Sequence, residues 1–184
     1  MNPGTQWSAE DDDKSLIERW KAGDSRAATE LVRRHADALA RFATSAGERE
    51  EIEELVQDTF VRAFNSIDAF RGDSSLRTWL FTIERRLMLD RRRAEIRERN
   101  LVSIEGVEGS TAYDALDGMV AQETATRVRG ALASLSPMQR EVFVMRVEHG
   151  LAYAEIATIL ETTEGAARVH YHNAIRAVKE FLND

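Results

Sequence analysis

The stretch from Phe70 to Arg93, FRGDSSLRTWLFTIERRLMLDRRR, constrains the chain most. A polar turn, Arg71-Gly72-Asp73-Ser74-Ser75, feeds a run in which Leu76, Trp79, Leu80, Ile83 and Leu87 recur at helical spacing. That spacing places one apolar face along a helix. Gly72 frees the backbone of the turn, and Asp73, Ser74 or Ser75 supplies an oxygen for the first N–H groups of the helix. The other face gathers Arg77, Arg85, Arg86, Arg91, Arg92 and Arg93. An aromatic beside a polar loop, followed by an arginine-lined helix, suits a nucleic-acid strand with an unstacked base. A solvated helix face accounts for the same residues, and the stretch alone does not separate the two readings.

The rest of the chain is built from helix formers. Leu, Ala, Glu and Arg dominate its 184 residues, with 10 Gly and 2 Pro, which predicts an all-α protein of one or two domains. The absence of cysteine excludes disulfides, thiolate metal sites and cysteine nucleophiles. The first residues, MNPGTQWSAEDDDK, are polar and acidic, unlike a signal peptide, and no apolar run is long enough to span a membrane. A cytoplasmic protein without membrane insertion is expected. The net charge of −7 argues against indiscriminate coating of nucleic acid. Arginines outnumber acids from 84 to 99, whereas 100–126 holds no basic residue, so a nucleic-acid site must be local.

Read in order, residues 1–10 are expected to be disordered. A short helix over 11–21 presents Leu16, Ile17 and Trp20; Gly23 then suits a C′ position and Asp24 an N-cap. A second helix near 25–45 places Ala28, Leu31, Val32, His35, Leu39 and Phe42 on one face. A third shows the clearest periodicity, through Ile52, Leu55, Val56, Thr59, Phe60, Ala63, Phe64 and Ile67. Its opposite face is an acidic ridge of Glu50, Glu51, Glu53, Glu54, Gln57 and Asp58, suited either to solvent or to a basic partner. The fourth helix follows Phe70 and ends near Ala94. These helices make a first domain over 11–95. Residues 96–121 read as an acidic, flexible linker, and 122–184 as a second domain.

In the second domain Ser136-Pro137-Met138-Gln139 is a capping-box start, and Gly150 stops that helix. A short helix over 151–160 and a longer one from Glu164, capped by Thr163, form a helix-turn-helix candidate. The second of the pair would read base edges in a major groove near its N-terminus. Glu164, Arg168, Val169, His172 and Asn173 are placed for that, with Arg176 and Lys179 further along for phosphates. The turn wants a residue tolerant of positive φ, and Glu161 stands there at a cost of about 1–2 kcal/mol. His170 and His172 point in different directions and no cluster accompanies them, so no metal, cofactor or small-molecule substrate is expected. His35 and His149 read as surface or boundary residues. Neither a Gly-rich phosphate loop nor a supported catalytic triad occurs, and no enzymatic activity is expected.

With both domains placed, the chain resembles a sigma-70 family transcription factor of the extracytoplasmic-function (ECF) group. LVQDTFVRAF and FRGDSSLRTWLFTIERRLMLDRRR are similar to region 2; LASLSPMQREVFVMRVEHGLAYAEIATIL and TEGAARVHYHNAIRAVKEFL are similar to region 4. The resemblance implies two small helical domains, a four-helix region 2-like domain and a helix-turn-helix region 4-like domain, joined by a flexible linker. It implies binding to core RNA polymerase and promoter DNA, and restraint by an anti-sigma factor. Carried onto this chain, the polymerase contacts are Glu54, Gln57 and Asp58. The minus-10 contacts are Phe70, Arg71, Gly72, Asp73, Ser74, Ser75, Arg77, Trp79, Arg85, Arg86 and Arg91, which would capture a flipped-out base. The minus-35 contacts are Thr163, Glu164, Arg168, Val169, His172, Asn173 and Arg176.

Three departures from the family pattern stand out. Glu84-Arg85-Arg86 replaces a frequent Ala-x-Asn, Arg168-Val169-His170 replaces a more basic triplet, and Glu161 replaces the turn glycine. Arg86 cannot accept a hydrogen bond, so a base-specific contact there must differ. The resemblance also suggests that the linker carboxylates Glu105, Glu108, Asp114 and Asp117 act in the polymerase channel; a plain soluble tether is the alternative. From the residues alone, a helix-turn-helix regulator acting on duplex DNA by itself and a helical adaptor both stay open.

Overall fold

The computed structural model describes residues 12–49, 51–102 and 130–183. The expected disordered N-terminus, most of the acidic linker, Glu50 and the start of the second domain near Gln122 lie outside these residues. Helices α1 (Asp13–Lys21), α2 (Ser25–Ser45), α3 (Ile52–Asn65) and α4 (Leu76–Val102) come first, with a 3-10 turn at Ile67–Ala69. Residues 130–133 are helical, and α5 (Pro137–Val147), α6 (Tyr153–Leu160) and α7 (Glu164–Asn183) follow. Among the described residues every regular element is a helix, as the composition predicts.

The helix ends follow from local chemistry. Asp12 caps α1 by accepting from the Ser15 N–H at 2.8 Å, and Asp24 caps α2 by accepting from Arg26 at 3.0 Å. Ser75 is the residue of the turn that caps α4, its hydroxyl accepting from the Thr78 N–H at 3.1 Å. Ser136 and Gln139 form the expected reciprocal capping box on α5. Thr163 accepts from Ala166 at 3.1 Å and starts α7. Glu161 adopts φ 53°, so the turn keeps its left-handed geometry without glycine.

The first core lies between α1, α2, α3 and α4, around Leu16, Leu31, Leu39, Phe42, Leu55 and Leu80. Burying each such side chain contributes roughly 1.5–3 kcal/mol. The α2 stripe runs through Ala27 and Glu30 rather than Ala28. Glu30 tolerates burial because Arg33 and Arg34 donate to it at 2.8 Å, which holds its carboxyl down to about 2. The helix α4 continues past Ala94 to Val102, since Glu95 to Arg99 are good helix formers with a Glu95–Arg99 pair at 3.6 Å.

The two helical domains dock on each other. Helix α6 packs along α4, and α5 packs against α2. Val142, Met145, Ile156, Ile159 and Leu160 belong to one continuous buried cluster with the first core. This docking explains a second buried face on α4. Thr78, Phe81 and Glu84 are each fully buried and Met88 nearly so, although the apolar spacing marks only the Leu76–Leu80–Leu87 face. His149, expected at a surface or boundary, is 5% exposed between α2, α4 and α5. Its ring lies 4.9 Å from that of Phe81 and 6.3 Å from that of Phe42, a setting that no local periodicity announces.

Candidate nucleic-acid interface

The loop before α4 and helix α1 enclose a cavity of about 510 Å3, lined by Phe70, Arg71, Gly72, Ser74 and Ser75 on one side and by Asp13, Lys14 and Ile17 on the other. Phe70 is half-buried and leans on Trp79, with ring centroids 5.1 Å apart and planes at 43°. Gly72 holds φ 78°, which turns the loop back toward the helix. Arg71 lines the cavity and is exposed, and Asp73 is exposed elsewhere in the loop. An aromatic floor, a polar loop and a nearby ammonium group at Lys14 are suited to a planar base with its phosphate.

Along α4 the arginines part company. Arg85 donates from Nε to Glu141 of α5 at 2.8 Å, and both side chains are nearly buried, 12% and 8% exposed. Arg86 donates from Nη2 to Glu161 at 2.9 Å in an exposed pair. Arg77 donates to Nδ1 of His149 at 3.0 Å and lies over the Phe81 ring at 5.5 Å. Burial first, and then the Arg41 charge, depress the Arg77 pKa. The same two pressures, with burial leading and Arg77 and Arg41 adding repulsion, hold the His149 ring down to about 4. At neutral pH the ring is therefore uncharged, and its Nδ1 accepts a hydrogen bond from the Arg77 guanidinium.

Glu155 of α6 completes the contact. It accepts from the Thr78 hydroxyl at 2.8 Å, from the Ser75 hydroxyl at 3.4 Å and from the Ala152 N–H at 2.9 Å. Burial pushes its pKa up, but these hydrogen bonds and the Arg77 charge prevail and keep it below the ordinary value. Glu84 has the opposite fate. Neither of its buried oxygens has a hydrogen-bond partner, and burial, with the nearby Glu48 charge, raises its pKa to about 9.

Arg91 sits away from the loop, on the α3 side. Its guanidinium lies 3.2 Å from Asp58 and 3.8 Å from both Glu54 and Glu51. The acidic ridge therefore has an internal counter-charge, while Glu54 and Gln57 stay exposed and Asp58 half-exposed. In the second domain, Thr163 uses its hydroxyl as a cap, Glu164 pairs with Arg168, and Arg168 also stacks over Tyr153 at 4.8 Å. Val169, His172 and Arg176 are exposed along α7, and Asn173 is half-buried. Val169 is 59% exposed, which leaves its methyls open to a partner surface. Sequence reasoning missed Glu141, His149 and Glu155, because their partners on α4 lie 56 to 77 residues away and no spacing rule links them. The sequence marks Arg86 and Glu161 each as a departure from the family pattern, but no spacing in it pairs them.

Comparison with known proteins places these features in one lineage. Residues 31–98 match sigma-70 region 2, and residues 125–178 match sigma-70 region 4. The ECF RNA polymerase sigma-E factor of Escherichia coli (strain K12) is 28% identical over 175 residues, covering 90% of this chain and 92% of that protein. The ECF RNA polymerase sigma factor SigW of Bacillus subtilis (strain 168) is 27% identical over 181 residues, covering 93% and 97%. Among solved structures, CnrH in complex with the cytosolic domain of CnrY superposes with a TM-score of 0.68 at 29% identity, covering 93% of this chain and 97% of that one. The sigma factor RpoE in complex with the anti-sigma factor NepR, from Bartonella quintana, gives 0.65 at 29% identity, with coverage of 84% and 96%. Two successive family regions in order, near-full-length relatives and a shared helical fold agree: the chain belongs to the sigma-70 family, in its extracytoplasmic-function group.

Proposed function

We propose that this chain is an alternative initiation factor that binds core RNA polymerase and directs it to specific promoters. The observation that carries the reading is the pairing, on adjacent helices, of an exposed carboxylate ridge on α3 with the aromatic-floored cavity of about 510 Å3 at the head of α4. Glu54, Gln57 and Asp58 offer acceptors to a basic surface of the polymerase. The loop Phe70–Ser75 receives an extruded base of the minus-10 element, with Trp79 behind Phe70 and the α4 arginines meeting phosphates. The N-terminal part of α7, from Thr163 to Arg176, enters a major groove at the minus-35 element. The division is a first domain over 11–95 and a second over 122–184. Because both solved relatives carry a bound protein partner, restraint by a small anti-sigma factor belongs to the same proposal.

The test pairs the chain with core polymerase and measures run-off transcription together with capture of a labelled single-stranded promoter oligonucleotide. Phe70→Ala removes one stacking platform and should weaken capture about tenfold, with polymerase binding unchanged. Glu54→Arg with Asp58→Arg should lose polymerase binding instead. Sequence-specific binding to duplex DNA without polymerase, indifferent to Phe70→Ala, would support a stand-alone helix-turn-helix regulator and overturn this reading.

A further inference from the structure

The aromatic side chains of the second domain form a row of rings that ends beneath an arginine. Phe143 of α5 and Tyr171 of α7 stack with centroids 6.3 Å apart, and Tyr171 meets Tyr153 of α6 in an edge arrangement at 5.9 Å. Two guanidinium groups lie over the Tyr153 ring, that of Arg146 at 4.9 Å from the centroid and that of Arg168 at 4.8 Å. Arg146 is itself tied down, donating from Nη1 to the Leu151 carbonyl at 2.8 Å. Contacts from α5 and α7 thus fix the ring, and the ring holds an arginine whose side chain is 60% exposed. We infer that Tyr153 is a positioning residue for promoter recognition, its π-face setting the Arg168 guanidinium where α7 meets nucleic acid. This rests on the reading of α7 as the minus-35 surface.

The physical reason is entropy. A free arginine on a helix surface samples many rotamers, and binding has to freeze them. A guanidinium carries five N–H donors, and contact with a π-face consumes none of them as a hydrogen bond. The Tyr153 ring therefore restrains Arg168 without taking what a phosphate or a guanine edge requires. Glu164, one turn earlier on α7, also restrains it, but does so by accepting from Nη2 and so competes with an incoming oxygen. In the triplet Arg168-Val169-His170 only Arg168 carries a permanent charge. The placing of that one side chain weighs more here than it would among basic neighbours.

Packing depends on the shape of the Tyr153 ring, whereas restraint of Arg168 depends on the negative charge of its π-face. The experiment separates the two. Holoenzyme assembled from the full chain and core RNA polymerase selects a duplex from a random-sequence pool, and its affinity for that duplex, tagged with fluorescein, is read by anisotropy. Tyr153 is replaced by Phe, and then by pentafluorophenylalanine, which reverses the ring quadrupole with little change of shape. Tyr153→Phe should bind as the parent does. The fluorinated ring should weaken binding about three- to tenfold, but should change nothing in an Arg168→Met background. Loss of binding with Tyr153→Phe would assign the role to the hydroxyl and overturn the inference. An equal effect of fluorination in both backgrounds would show that the ring acts by itself, and would also overturn it. Fluorination without effect, while Arg168→Met weakens binding, would overturn the inference and leave the minus-35 reading standing. Arg168→Met without effect would overturn both. A second measurement needs no variant: the Tyr153 ring current should move the Arg168 δ-protons of the native chain upfield, and random-coil positions would overturn the inference.

Discussion

The Arg86 guanidinium donates to the Glu161 carboxylate at 2.9 Å, joining two residues 75 positions apart. Each stands where the family pattern favours a different residue, an Asn in the fourth helix and a Gly in the turn. The two departures are thus partners. Arg86 points at the turn between α6 and α7, and Glu161 accepts left-handed backbone to meet it.

Magnitudes decide what Glu161→Gly should do to stability. The left-handed backbone costs a non-glycine residue about 1–2 kcal/mol. An exposed ion pair returns about 0–1 kcal/mol. The strain outweighs the pair, so the variant should unfold at a higher urea concentration, by about 0.5–1 kcal/mol. A decrease in stability would show that the Arg86 contact contributes more than exposed pairs usually do.

Glu84 should make stability fall with rising pH. In the folded chain its carboxyl keeps its proton up to about 9, whereas the ordinary value is 4.5. The unfolded chain releases that proton near the ordinary value, so folding is penalised progressively as pH rises between the two. The slope approaches about 1.4 kcal/mol per pH unit. Glu84→Met removes both unpartnered oxygens and the titration. Its stability advantage over the parent, from urea unfolding at pH 5 and pH 8, should grow with pH and reach on the order of 2–4 kcal/mol at the upper end. An advantage that stays constant with pH would mean that the carboxyl is solvated.

His149 should show the opposite sign. Its folded pKa is held at about 4, below the ordinary 6.5, so the unfolded chain takes up a proton first as pH falls. The stability it contributes is complete above 6.5 and is lost as pH drops from there toward 4. The surroundings offer the charged ring no relief. Arg77 and Arg41 repel it, Phe42 and Phe81 enclose it, and the neighbouring Glu148 is already engaged by Arg41 at 3.1 Å. Proton NMR of the ring should give a midpoint near 4, and near 6.5 in a chain whose domains have been separated. A midpoint near 6.5 in the native chain would place the ring in water.

The sequence by itself determined every element whose cause is local. Helical periodicity announced α1 to α4, and Asp24, Ser136 and Thr163 announced helix starts, because caps and apolar stripes act within a few residues. The strain at Glu161 was also legible, since the turn geometry admits few residue types. The loop from Phe70 to Ser75 stands out by its residue types, which by themselves suit either a recognition element or a solvated turn. Tertiary structure decided the rest. The burial of Thr78, Phe81, Glu84 and His149, and the pairing of Arg85 with Glu141 and of Thr78 with Glu155, arise from one domain docking on another. Those contacts join residues far apart in the chain, and their strength depends on desolvation, which only packing creates. A helix face that reads as solvated arginine is, in the folded molecule, half of an interface.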